Sequence, residues 1–122
     1  MSRPKKRQAR EKAGRRAERI AAWYLRVKGY QILARRYQSK VGEIDLIAKK
    51  GTDLVCVEVK QRATLKEAED ALTYQTRKRV SSAAKLYYSR YRSVQNLGLR
   101  FDAVLLARGW KLRHIQDAWR ID

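Results

Sequence analysis

The chain has 122 residues, 44% of them hydrophobic and 34% charged, which fits one globular domain with a modest core. Thirty Lys and Arg residues oppose 12 Asp and Glu, so the formal net charge is +18. Such an excess attracts polyanions, and nucleic acid is the commonest of these in a cell. The sequence has neither a membrane-spanning apolar run nor the apolar stretch of a signal peptide, so we expect a cytoplasmic protein with no membrane partner.

The first 16 residues, MSRPKKRQAREKAGRR, contain eight basic residues, one acid and little to bury. We therefore predict a flexible basic arm over residues 1–14 and a single folded domain over 15–122. The arm could contact phosphates or could serve only as a solubilising tail.

Helical spacing of apolar residues predicts a first helix over about 15–28, ended by Gly29. Glu18 borders the inward face of this helix, where an acid needs a partner. A short strand at 30–34 and a hairpin over 41–62 follow.

Thr64 with Glu67 resembles a capping box, and a helical repeat then runs to Tyr91 after an irregular beginning near 65–75. Strands at 99–107 and 111–115 close the chain around a turn at Arg108-Gly109. The order α-β-β-β-α-β-β predicts an α/β fold in which helices flank a mixed sheet. The helical spacing of Tyr74, Tyr87, Tyr88 and Tyr91 favours packing over stacking on bases.

The single Cys56 excludes an internal disulfide, and its place among valines predicts a small buried hydrophobe. The single His114 has no neighbouring His or Cys that would indicate zinc, so we interpret it as structural or at the surface.

The hairpin VGEIDLIAKKGTDLVCVEVKQR carries acids where core residues would be expected. A two-residue turn at Gly51-Thr52, of type II′, sets a register in which paired residue numbers sum to 103. Asp45 then lies opposite Glu58, and Glu43 lies opposite Lys60. Alternation gives the first strand two faces: Glu43, Asp45 and Ile47 on one, and Ile44, Leu46 and Ala48 on the other.

Two opposed carboxylates repel unless one is protonated or a cation lies between them. Mg²⁺ suits such a pair because it takes hard oxygen ligands and is commonly bound through one or two carboxylates plus phosphate. Lys60 beside it could stabilise an oxyanion or orient water, which is equipment for phosphodiester hydrolysis. The alternative is a structural ion-pair arrangement, with Glu43 paired to Lys60 and Asp45 to an arginine.

The motifs G-E-I-D-L-I-A at 42–48, V-E-V-K at 57–60 and R-F-D at 100–102 resemble the YraN family of small bacterial proteins. That family resembles the PD-(D/E)XK nucleases, which include Holliday junction resolvases and restriction endonucleases. The resemblance covers about residues 14–119 and implies a restriction endonuclease-like fold.

By this resemblance, Asp45 and Glu58 correspond to the metal-binding acids and Lys60 to the catalytic lysine. It also implies that Val59 offers its backbone carbonyl to the metal and that Glu18 completes the site through water. Arg100 and Asp102 match the R-F-D motif, for which a structural salt bridge is our interpretation.

The leading hypothesis is a Mg²⁺- or Mn²⁺-dependent endonuclease that acts on DNA, including branched or structured forms. The resemblance to resolvases suggests a homodimer, because a four-way junction is cut at two symmetric positions. The alternatives are a catalytically inactive DNA- or RNA-binding module and an RNA- or ribosome-associated protein. Our candidate nucleic-acid contacts are the basic residues Arg15, Arg16, Arg36, Lys40, Arg62, Arg77 and Lys78.

Overall fold

The computed structural model describes residues 5–121, where five strands form one mixed sheet with helices on both faces. The third and fourth strands pair in parallel, and the other neighbours pair antiparallel. The mixed α/β class and the predicted order of elements are confirmed, with the second helix divided in two. The elements are α1 (Lys5–Val27), β1 (Gln31–Ser39), β2 (Gly42–Lys50), β3 (Asp53–Gln61), α2 (Leu65–Asp70), α3 (Tyr74–Arg90), a short 3-10 turn (Arg92–Val94), β4 (Gly98–Ala107) and β5 (Lys111–Trp119).

The first helix begins at Lys5, ten residues before the predicted start. Residues 5–14, assigned from the sequence to the basic arm, therefore belong to α1, and residues 1–4 lie outside the described residues. Lys, Arg, Gln, Ala and Glu dominate this segment, and all of them are good helix formers. In the part of the chain that the structure describes, no helix combines the length and apolar character needed to cross a membrane.

The valine face of β3 forms the first core cluster, against α1. Val55 and Val57 are fully buried there beside Ala21 and Leu25 of the helix. This is the face that alternation predicts as core. Apolar side chains packed between a helix and a sheet fix where α1 crosses the strands, and so fix the position of Glu18.

A second cluster covers the opposite face of the sheet, beneath α3. Ile44 belongs to this cluster together with Ile47, so the predicted grouping of Ile44 with Leu46 is wrong. The cause is an interruption of the β1–β2 ladder. Leu46 pairs with Arg35 and Ile44 pairs with Tyr37, but Asp45 between them has no partner in the ladder. Cys56 is fully buried in the same cluster, as predicted, and burial raises the pKa of its thiol to about 12.

A buried polar network joins β4 to β5 around Asp102, which has no exposed surface. Arg100 donates two hydrogen bonds of 2.9 Å to its carboxylate, and His114 Nε2 lies 2.8 Å from it. Burial opposes ionisation of Asp102, but the bonds from His114, Arg100 and the Asp117 amide outweigh it and lower the pKa. Arg100 also donates to the Tyr30 hydroxyl, so the R-F-D motif forms the expected structural salt bridge.

Candidate functional site

The β2–β3 hairpin has the register that the turn predicts. Lys50 pairs with Asp53 and Leu46 pairs with Val57, so each pair sums to 103. Gly51 has φ 59°, the positive value that the first central position of a type II′ turn requires. The turn chemistry therefore sets which residues of the two strands face each other.

The β2–β3 ladder ends at Leu46 and Val57. Beyond it, the backbone N–H of Val59 donates a 2.8 Å hydrogen bond to Asp45 Oδ2. The Asp45 carboxylate thus takes the place of a backbone carbonyl and is held against β3. Neither predicted pairing, Asp45 with Glu58 or Glu43 with Lys60, is part of the ladder, because the ladder ends before reaching them.

A cleft of about 690 Å³ lies where the strands separate. The predicted residues Glu18, Asp45, Glu58, Val59 and Lys60 all line it. These residues come from three elements, α1, β2 and β3. Only Glu58, Val59 and Lys60 are close together in the sequence. The structure therefore places the complete predicted metal-site set around one open space.

Glu58 is an acid with only 7% of its surface exposed. Burial and the neighbouring Asp45 carboxylate raise the pKa of Glu58 to about 10, although the Lys60 ammonium acts in the opposite direction. Lys60 Nζ lies 3.6 Å from Glu58 Oε2. The raised pKa favours the protonated form of Glu58, which relieves the repulsion between the two carboxylates.

Glu18 lies across the cleft on α1, with an exposed side-chain fraction of 13%. Burial and Asp45 raise the pKa of Glu18, and Arg36 and Arg35 oppose that change. Arg36 Nε forms a 3.1 Å ion pair with Glu18 Oε1. Arg36 has φ 56°, a left-handed conformation that is uncommon outside glycine and often found at functional sites.

The candidate nucleic-acid contacts divide into two groups. Arg36 and Arg62 line the cleft itself. The others lie outside the cleft lining: Arg15 borders a neighbouring groove with Glu18 and Arg36, Arg16 and Lys40 are exposed, and Arg77 and Lys78 line a groove along α3.

Sequence reasoning missed Thr76 and Arg79, two α3 residues that also line the cleft. The signal that could have found them is their spacing from the buried Val80 and Ala83. Residues three and four positions apart share one face of a helix, so Thr76 and Arg79 flank the buried stripe. Gly42 lets β2 approach α3 there, since a β-carbon added at Gly42 would lie 2.1 Å from the Arg79 carbonyl oxygen.

The donors in the cleft suit a hard divalent cation. Asp45 and Glu58 supply paired carboxylates, and Mg²⁺ is commonly bound by one or two of these with substrate phosphate. Among residues 5–121, no group of three or more His, Cys, Asp and Glu side chains is arranged to hold a metal. Any cation here would therefore rest on the carboxylate pair and on backbone, water or phosphate oxygens.

A family model described as "Uncharacterised protein family UPF0102" matches residues 17–106. The chain belongs to this family, also known as the YraN family. A UPF0102 protein of Paramagnetospirillum magneticum is 47% identical over 120 residues, covering 94% of this chain and 92% of that protein. One from Chelativorans is 43% identical over 114 residues, covering 93% and 91%. One from Caulobacter vibrioides is 44% identical over 111 residues, covering 91% and 89%.

The match includes α1 from Ala17, the whole β2–β3 hairpin and nearly all of β4. All of the residues that line the cleft except Ala13 and Gly14 fall within it. The site is thus built almost entirely by the part of the chain that matches the UPF0102 family.

Proposed function

We propose that this UPF0102 protein is a metal-dependent endonuclease that hydrolyses DNA phosphodiester bonds. The observation that carries the proposal is the pair of neighbouring carboxylates, the buried Glu58 and the partly buried Asp45, with Lys60 beside them at the wall of a cleft. An unpaired carboxylate is costly to bury, and a second acid nearby increases the cost. Perturbed acids in a cleft are typical of catalytic sites.

Mg²⁺ or Mn²⁺ bound by Asp45 and Glu58 would polarise a phosphate and lower the pKa of a bound water. The backbone carbonyl of Val59 is a further candidate oxygen ligand. Its N–H fixes the Asp45 carboxylate, so that the acid is oriented before any ligand arrives. Glu18 is placed to hold water from the opposite side of the cleft.

Lys60 supplies a positive charge next to the carboxylate pair, 3.6 Å from Glu58. In the proposed reaction, its ammonium group stabilises the charge that develops on the phosphate oxygens. The exposed fraction of the Lys60 side chain is 22%, so the ammonium group is partly withdrawn from water. Electrostatic attraction is stronger there than in bulk water, because the dielectric constant is lower. In this proposal Lys60 stabilises the charge on the phosphate, and the acids bind the metal.

The basic side chains support a nucleic-acid substrate. Arg36, Arg62 and Arg79 border the cleft, and the whole chain carries a net charge of +18. Phosphate contacts of this kind give affinity that falls steeply with salt. We propose DNA rather than RNA as the substrate, and a homodimer as the form that would place two such sites on a branched structure.

The test is a panel of duplex, single-stranded, flap and four-way junction DNA, incubated with the wild type and with Glu58→Gln. We expect cleavage by the wild type with Mg²⁺ or Mn²⁺, no cleavage with a chelator, and no cleavage by the variant. Cleavage of no substrate with either metal would overturn the proposal.

A second function, a binding module without catalysis, is favoured by the ion pair of Arg36 with Glu18. That pair occupies the acid proposed to hold water. A binding module would show salt-dependent affinity that neither metal nor Lys60→Ala changes. The same panel, read as binding in place of cleavage, separates the two functions.

A further inference from the structure

Tyr74 lies at the start of α3 and exposes 65% of its surface. Two other tyrosines of α3 and its end make ring contacts: Tyr87 is buried, and the Tyr91 ring packs against it in a tilted arrangement with the ring centroids 4.5 Å apart. Tyr74 takes part in no ring–ring or cation–ring contact with the described residues. The expectation that helical spacing places this ring in a packed interface therefore does not hold for Tyr74.

A groove of about 500 Å³ runs past the Tyr74 ring. Val41, half exposed in the turn between β1 and β2, lines it together with Tyr74, Lys78 and Arg79. None of the described residues that line this groove is acidic, so its charged residues are all positive.

Arg79 connects this groove to the cleft, because it lines both. Tyr74 and Arg79 are five residues apart on α3, or about 7.5 Å along the helix axis. A strand whose phosphate lies in the cleft can therefore contact Arg79 and continue over Tyr74.

We propose that Tyr74 and Val41 form a stacking platform for an unpaired base of single-stranded DNA next to the cleft. An aromatic ring set among Lys and Arg residues is the arrangement by which proteins bind single strands, with the ring stacking on a base and the cations holding phosphates. A base in the interior of a duplex is stacked on both of its faces, so it cannot stack on the ring without leaving the duplex. The preferred substrate is then DNA with a single-stranded segment beside the scissile phosphate, and this inference rests on the proposed nuclease function.

The test measures binding of the full chain, with a chelator present, to a blunt duplex and to the same duplex carrying a single-stranded tail of DNA or of RNA. The tail contains 2-aminopurine, whose fluorescence falls when it stacks on an aromatic ring. The variants are Tyr74→Ala and Tyr74→Phe, with Trp110→Ala as the matched control. Trp110 is 92% exposed in the β4–β5 turn and lines neither the groove nor the cleft.

We expect Tyr74→Ala to weaken binding of the tailed duplex by about tenfold and to abolish the fluorescence change. Tyr74→Phe and Trp110→Ala should keep both, and binding of the blunt duplex should not change in any variant. Equal weakening of both substrates by Tyr74→Ala, or of neither, overturns the platform. A Tyr74-dependent preference for an RNA tail overturns its assignment to DNA.

These outcomes are independent of cleavage, because the chelator removes the metal on which cleavage depends. A protein that binds the tailed duplex through Tyr74 but cuts nothing keeps the platform and loses the proposed nuclease function. A protein that cuts DNA but whose Tyr74→Ala variant binds the tailed duplex as tightly as the wild type keeps the nuclease function and loses the platform.

Discussion

The Val59 amide donates a 2.8 Å hydrogen bond to Asp45 Oδ2 at the point where the β2–β3 ladder stops. The bond gives Asp45 two separable roles, one as acceptor for the backbone and one as a charge in the cleft. Two substitutions separate these roles. Asn keeps an acceptor oxygen but loses the negative charge, and Ala loses both.

We therefore expect Asp45→Asn and Asp45→Ala each to reduce metal-dependent cleavage by about 100-fold or more. Only Asp45→Ala should also lose the hydrogen bond, at a cost of about 1 kcal/mol in the free energy of unfolding. Cleavage assays and urea denaturation measure the two effects. Full activity in Asp45→Asn would remove the charge of Asp45 from the mechanism.

The raised pKa of Glu58 predicts how stability changes with pH in the metal-free protein. Between the ordinary pKa of 4.5 and the folded value of about 10, the folded state holds a proton that the unfolded state has released. The contribution of Glu58 to the free energy of unfolding is therefore most favourable below pH 4.5. It falls as the pH rises, by up to about 1.4 kcal/mol per pH unit.

Glu58→Gln removes that proton-linked loss, so its stability should depend less on pH than that of the wild type. The difference should favour the variant most at pH 8 to 9. Thermal unfolding of both proteins in a chelator across pH 5 to 9 measures it. Parallel curves for the two proteins would contradict a protonated Glu58 in the folded state.

Metal binding should release this proton, because a carboxylate ligand must be ionised. We expect the affinity for Mn²⁺ to rise with pH, and calorimetry in buffers of different ionisation enthalpy to show proton release. Glu58→Gln should abolish both effects. Asp70→Asn, an exposed acid of α2 outside the cleft, is the matched control and should behave like the wild type.

The sequence was sufficient for the hairpin because its determinants are local. A glycine at the turn and strict alternation set the register from Leu46 to Val57, and with it the approach of Asp45 to Glu58. The same logic was wrong for Ile44, since the ladder is interrupted at Asp45, where Arg36 takes up a left-handed conformation. No local pattern in β2 marks that interruption.

Contacts between distant segments were beyond the reach of a single sequence. Arg79 and Tyr74 acquire their places only when α3 packs against β2, which ends 24 residues before Tyr74. His114 could be interpreted as structural, but its partner Asp102 depends on the pairing of β4 with β5. The apolar pattern could not mark the start of α1, because residues 5–14 offer little to bury and form a helix through the intrinsic propensity of Lys, Arg, Gln and Ala.

Gly42 should be the most sensitive glycine near the site. Gly42→Ala would place a β-carbon 2.1 Å from the Arg79 carbonyl oxygen, so α3 or β2 must move. We expect a loss of about 1–3 kcal/mol in the free energy of unfolding. Gly14→Ala is the control, because nothing lies within 4 Å of that position in α1 and the change should stabilise the helix by about 0.5–1 kcal/mol. Urea denaturation of both variants tests this contrast, and equal effects would contradict it.

Loss of the hydroxyl group should have opposite effects on the free energy of unfolding at Tyr37 and at Tyr88. The Tyr37 hydroxyl is buried with no hydrogen-bond partner among the described residues, whereas the Tyr88 hydroxyl can donate to the carbonyl oxygens of Gln95 and Leu97. Tyr37→Phe removes a buried polar group and should raise the free energy of unfolding by about 1 kcal/mol. Tyr88→Phe should lower it by a similar amount, since a formed hydrogen bond is lost. Denaturation curves of the two variants measure the difference, and a destabilised Tyr37→Phe would mean that its hydroxyl is hydrogen-bonded in solution.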